Sequence, residues 1–491
     1  MTIVFSRAGV LGALALSLLV VSPVMARLGA QQRLTLAEAV ALAEQRALPA
    51  RAAQQTRQAA RARDRAFGAS LLPQLSLSGN LPVYNRSIIP VLQPDGTTLF
   101  RPQQQNESAL TMQLTQRVPL TGGEVFVSSA LSRLEVIGER QTRVWSSTPF
   151  SVGVRQSLLR PNTLRWEARE QDIRGDLAER QYLEAREDIA LQTANAFFDL
   201  YAAEVALANA EANAAVNDSL FLLNQGRFEV GRIGENDLLQ SELALLRARN
   251  ALDGARLDHA RTAAALRLTL AMPPGAALQL VPPEQIVLRS ADTATAVAQA
   301  RRNRATVREG ELSETQASRR VAEARLNNGF GATVQASLGF NQTGAGMDAV
   351  YRDLREAQRV SVAVQMPVLQ WGARSAQVEA ARAEQDRTEA TVRLSLEQLA
   401  QEAHFAALQL AQSARQLELS AKADTVGQKR FEVAKNRYVI GRIGMDNLYQ
   451  AQTEKDQAIL QYVQSLRGYW TSYYRLRRLT LYDFERGAPI R

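Results

Sequence analysis

The sequence predicts a mainly α-helical fold carrying a β-sheet of membrane type, and it predicts that the plan is laid down twice. Three observations carry this. One stretch occurs in two copies, RFEVGRIGENDLLQ from Arg227 to Gln240 and RYVIGRIGMDNLYQ from Arg437 to Gln450, at a constant offset of 210. Each copy lies inside a long proline-free interval, Pro161 to Pro273 and Pro367 to Pro489. Ahead of each interval the apolar pattern changes from helical spacing to strict alternation, the period of a strand.

The repeated stretch organises the rest. Gly231/Gly234 and Gly441/Gly444 are the main breaks in otherwise helical sequence. Glycine readily takes the left-handed backbone that ends a helix and reverses the chain. Asn236/Asp237 and Asp446/Asn447 then stand where a returning helix needs a cap. Both copies therefore read as the tip of a long antiparallel helical hairpin.

In chain order, Arg7, the apolar run Ala8 to Val21 and the small residues around Val24-Met25-Ala26 predict a signal peptide over 1–26. That run is short for a membrane span, and no later run replaces it. No cysteine follows the cleavage point, so no N-terminal lipid anchor is expected. Thr35 to Ala69 reads as one helix capped by Thr35, with Leu36, Ala39, Leu42 and Ala43 on one face and Pro73 at its end. Leu75, Leu77 and Gly79 then alternate with Ser76, Ser78 and Asn80. Leu110, Met112 and Leu114 alternate with Thr111, Gln113 and Thr115, Val125 and Val127 follow the Thr121-Gly122-Gly123 turn, and Phe150, Val152 and Val154 form another short strand.

Two helices follow, about Thr163 to Gly226 and Asn236 to Leu270. The first would be on the order of 95 Å long. Its stripe, Ile189, Thr193, Phe197, Leu200, Glu204 and Ala208, suits narrow coiled-coil packing, although Thr193 and Glu204 interrupt it. After a proline-bearing linker, 273–291, the plan recurs over 292–482. A helix runs to Asn327. Alternating strands follow at Val334, Ala336, Leu338 and Phe340 and at Val360, Val362, Val364 and Met366. Helices of about Ala373 to Asn436 and Asp446 to Leu479 come next, and then a tail, 483–491. The strand entries align at an offset of 261 and the strand exits at 209, so the first repeat, 27–272, carries about 261 − 209 = 52 extra residues within roughly 85–149. They read as an enlarged loop with its own hairpin at 109–132, or as additional strands.

Composition narrows the chemistry. The chain has 491 residues and no cysteine, which excludes disulfides, thiolate catalysis and thiolate zinc sites. His259 and His404 lie in helical runs as packing or surface residues. No catalytic set, metal site or cofactor is expected, and no enzyme. The net charge of +9 comes from arginines alternating with acids along solvated helix faces. Without a basic block interleaved with aromatics, no nucleic-acid partner is expected.

Strands apolar on one face and polar on the other match an outer-membrane barrel wall. An open edge is costly in lipid, so such strands must close. Four clear strands are too few, so the chain should oligomerise, and rotational symmetry would set the tips in a ring. A soluble sheet beside a coiled coil is the alternative. Its functional counterpart is a periplasmic coiled-coil scaffold or adaptor that binds an anionic polymer.

The opening LTLAEAVALAEQRA, the strand entry LLPQLSLSG, the duplicated plan and the paired VGRIG/IGRIG tips together resemble the TolC-like outer-membrane efflux protein family, over nearly the whole chain after 1–26. The resemblance implies a homotrimer. Its shared outer-membrane β-barrel would be continued by a long periplasmic α-helical coiled-coil barrel. The tips would meet a periplasmic adaptor and an inner-membrane pump, in efflux or type I secretion. It also implies an acidic residue six positions after the first tip glycine. Asp237 fills that place, whereas the second hairpin has Asn447 there, Asp446 beside it, and Gln450 where a further acid is expected. Arg232, Arg442 and Tyr438 become candidates for bonds that hold the tip closed or for adaptor contacts. Tyr84, Phe150, Phe330, Phe340 and Trp371 are placed for the membrane interfaces, and Phe197, Phe198 and Trp470 for packing between helices.

Overall fold

The computed structural model describes residues 32–138, 141–283 and 291–490. The signal-peptide span and residues 284–290 of the linker lie outside these residues. Strand β1 (Gln32–Thr35) leads into helix α1 (Leu36–Arg46), and Thr35 and Glu38 form a reciprocal capping box there. The expected single helix is two, because α2 (Leu48–Ser70) starts afresh after Ala47, which is held extended. Pro49 has no amide hydrogen, and its ring would collide with the carbonyl one turn back.

Four long strands follow: β2 (Gln74–Leu92), β3 (Thr98–Val118), β4 (Gly123–Ile137) and β5 (Thr142–Leu158). The 67-residue helix α3 (Thr163–Glu229) and the 35-residue α4 (Glu235–Thr269) form the first hairpin. Strand β6 (Leu278–Val281) pairs in parallel with β1. The second repeat also opens with two helices where one was expected, α5 (Thr293–Asn303) and α6 (Ala305–Asn327), separated by the extended Arg304. Neither proline nor glycine marks that break. A tertiary contact makes it: the Glu184 carboxylate on α3 accepts the Ala305 amide at 2.8 Å and pairs with Arg304 at 3.3 Å. Strands β7 (Gly331–Gly344) and β8 (Arg355–Gln365), the 67-residue α7 (Ala373–Val439) and α8 (Met445–Thr480) complete the repeat, and the short strands β9 (Tyr482–Asp483) and β10 (Ala488–Pro489) close the chain.

The sheet settles the question of the extra residues. Six strands, not four, form one antiparallel sheet in the order β2-β3-β4-β5-β7-β8, with β2 and β8 as open edges. The inserted segment adds a strand pair. Registers put Leu75, Leu114, Val127, Val152 and Leu338 in one row across the sheet. Side chains alternate along a strand, so the same face carries Leu77, Leu110, Met112, Val125, Val154, Val334, Val360, Val362 and Val364. The opposite face carries Thr111, Gln113, Thr115, Ser128, Ser151, Gln335, Ser337 and Ser361. On the apolar face Leu77 is 72% exposed and Val360 76% exposed in the isolated chain.

The main core lies at mid-length on the rods. Phe197, Phe198 and Leu200 of α3, Leu266 of α4, Leu410 of α7 and Tyr469 and Leu476 of α8 are buried together there, with Trp470 partly buried beside them. The predicted α3 stripe holds from Ile189 to Leu200, Glu204 is half-buried, and Ala208 is exposed. Its five steps span nineteen residues, one more than five turns need, so its end has rotated by about 100°. Among the described residues no helix is long and apolar enough to cross a membrane.

Candidate functional site at the helical tips

Both hairpins reverse through the same backbone device. At the end of α3 the Gly231 amide donates to Phe228 and the Arg232 amide to Arg227. At the end of α7 the Gly441 amide donates to Tyr438 and the Arg442 amide to Arg437. Each is the double closure in which a left-handed glycine satisfies the orphan carbonyls of a helix end. Gly231 and Gly441 have φ of 71° and 73°. The second glycines differ: Gly234 and Gly444 are the N-caps of α4 and α8, with φ of −77° in each case.

This corrects the expected caps. Asn236/Asp237 and Asp446/Asn447 occupy the second and third positions of their helices, and neither helix has a side-chain cap bond. Glu235 and Asp237 lie in the first turn of α4, whereas α8 has Asp446 alone. Acids there complement the positive end of the helix dipole.

The structure joins the two tips through side chains. The Tyr438 hydroxyl, buried on α7, donates to Asn224 Oδ1 on α3 at 2.8 Å. Arg227 donates to the Val439 carbonyl at 3.1 Å, and its guanidinium lies 5.3 Å from the Tyr438 ring centre. Gln240 of α4 donates to Asp446 of α8 at 3.0 Å. Leu220, Phe431, Tyr438, Met445 and Leu448 form a small apolar core just behind the tips. Of the predicted residues, Tyr438 and Asp446 therefore bridge the hairpins. Gln450 bonds Glu454 within α8 at 3.1 Å, and Asn447, Arg232 and Arg442 are exposed. Asn224, Arg227 and Gln240 were missed as partners, although Arg227 and Gln240 bound the repeated stretch.

Further along the rods Asp456 of α8 accepts from Asn209 at 2.8 Å and Asn213 at 2.7 Å, while Lys455 bonds Asn213 at 3.1 Å and lies over Phe431. The asparagines fall on one face of α3 at helical spacing. Burial, with Tyr438 beside it, pushes the Tyr449 hydroxyl up to about 12. At mid-length Glu187 is 2% exposed and meets Arg477 at 2.9 Å, and burial raises its carboxyl above the usual range against the pull of that guanidinium. Burial also lifts Glu204 to about 7. His259 is half-buried and His404 exposed. Among the described residues no group of three or more His, Asp or Glu side chains could hold a metal ion.

An open antiparallel sheet continued by paired helical rods of about 100 Å, reversed at matching tips, is the TolC-like fold of outer-membrane channels. Among solved structures the chain is similar to the outer membrane channel CmeC of Campylobacter jejuni, with a TM-score of 0.65 and 17% identity over 91% of this chain and 85% of that one. It is also similar to the outer membrane protein VceC of Vibrio cholerae, with a TM-score of 0.65 and 16% identity over 93% and 97% of the two chains. The open state of the Neisseria gonorrhoeae outer membrane channel MtrE gives 0.62 and 13% over 91% and 88%. No protein-family model and no curated protein matches the sequence.

Proposed function

We propose that this chain is the exit duct of a tripartite efflux or type I secretion assembly. As a homotrimer it conducts substrates passively from a periplasmic adaptor and inner-membrane pump to the exterior. The observation that carries this reading is the sheet: six strands apolar on one face, polar on the other and open at both edges. A soluble chain leaves such a face bare only where something covers it, and in lipid the edges demand closure. The exposed Tyr84, Phe150, Phe330, Phe340 and Trp371 suit the two water–lipid boundaries. The rods continue the bore through the periplasm. The Tyr438–Asn224 and Gln240–Asp446 bonds hold its far end shut until the adaptor draws the tips apart. Exposed Arg232 and Arg442 offer that adaptor hydrogen-bond donors. No chemistry on the substrate is required.

Detergent-extracted protein is expected to run as trimers and to conduct ions in planar bilayers. Extraction without detergent as monomers would favour a periplasmic scaffold and end the channel reading.

A further inference from the structure

The inserted strand pair distinguishes this wall from the four-strand contribution legible in the sequence. Taken alone, β3 and β4 could be an external hairpin resting on the sheet edge. Two features of the register place them inside the wall. The apolar row from Leu75 to Leu338 passes through Leu114 of β3 and Val127 of β4 without a break, and Leu77 faces Met112 directly. The apolar belt also slides along the strands as it crosses the sheet. The row of Leu75, the lowest belt residue on β2, reaches Gln358 on β8, but the belt on β8 continues down to Val364. That displacement is 364 − 358 = 6 residues over five strand steps. At about 3.3 Å per residue and about 4.8 Å per step it corresponds to roughly 20 Å over 24 Å, a strand tilt near 40°. Membrane barrels tilt their strands by about 35–45°. The displacement accrues across all six strands, β3 and β4 included.

Closure follows from the strand count. With six antiparallel strands per copy, β2 and β8 run in opposite directions, so β8 of one copy can pair antiparallel with β2 of the next under pure rotation. We infer that all six strands are staves of a barrel shared between copies, closed by β8-to-β2 pairing, and that a trimer has an eighteen-stranded wall. This rests on the exit-duct reading and deepens it. Barrel diameter grows roughly linearly with strand number, and walls of about 16–18 strands enclose an open aqueous channel. The outer segment is then about half again as wide as a ring built from four strands per copy. Cargo size is limited at the tips and not at the membrane.

The chain has no cysteine, so single-cysteine variants carry one thiol per copy. In trimers reconstituted into liposomes, a membrane-impermeant maleimide is expected to label Thr111→Cys, Gln113→Cys and Ser128→Cys. Met112→Cys, Leu114→Cys and Val127→Cys should react at least about tenfold more slowly. Oxidising Val364→Cys combined with Leu75→Cys or Leu77→Cys should yield covalent trimers, because the lower belt edges meet there. Equal labelling at 111, 112, 113 and 114 in intact trimers would make the pair an external hairpin and overturn the six-stave wall while leaving the duct standing. Monomers without any inter-copy bond would overturn both.

Discussion

Changing Tyr438 to phenylalanine removes one oxygen from the tip and leaves the ring among Phe431, Met445 and Leu448 and beside Arg227. What is lost is the donor to Asn224, a residue that is 0% exposed. A buried acceptor left without its donor costs about 1–2 kcal/mol, or roughly 5- to 30-fold in the equilibrium between clasped and parted tips. Removing both partners, as in Tyr438→Phe with Asn224→Leu, orphans nothing, so the double variant should lie closer to wild type than the sum of the singles. Hydrogen exchange of amides 216–230 in the assembled protein measures the local opening, and single-channel recording measures its consequence. Tyr438→Phe is expected to exchange faster by that factor and to open more often. Exchange within twofold of wild type, or single variants that simply add, would refute the clasp.

Gly231→Ala and Gly441→Ala place a Cβ in the left-handed region at about 1–2 kcal/mol each, while Gly234→Ala has φ −77° and no atom within 4 Å of the new carbon. Exchange at Arg232 should therefore rise only for the Gly231 variant, and equal damage at both sites would break the assignment. Arg477→Met strands the buried Glu187 carboxyl and is expected to cost about 3–5 kcal/mol. Adding Glu187→Gln should recover much of it, read as Tm. Glu204 holds its proton to about pH 7 when folded, above the ordinary value near 4.3. Its contribution is therefore fully present below pH 4 and is lost as pH rises through 7. Glu204→Gln should match wild type in Tm at pH 4 and exceed it at pH 8, and a constant difference would exclude this carboxyl.

Much of the fold was legible because its signals are local. Helix boundaries in the rods fell within a few residues, since proline-free intervals and tip glycines mark them. The pleat of β2, β7 and β8 was plain in the alternation from Leu75, Val334 and Val360. Non-local causes were hidden. The break at Arg304 depends on Glu184, more than a hundred residues away in sequence. The outer halves of β2 and β3 lacked a signal because Asn85, Arg86, Gln103, Gln104 and Gln105 pair in strands without apolar alternation. At the tip the turn residues could be read directly. The bonds joining the hairpins could not, because Asn224 lies outside the repeated stretch, and a capping role for Asp446 was the simpler local reading.

The rods α3 and α7 each contain 67 residues, and their return helices differ by one. Neither rod can change length alone. Deleting four residues from α3 would draw its end back by about 6 Å, far beyond the reach of Asn224 to Tyr438 or Gln240 to Asp446. Insertions and deletions should therefore survive only as matched sets, in both arms of both hairpins, so that shortening or lengthening is inherited as a coupled event.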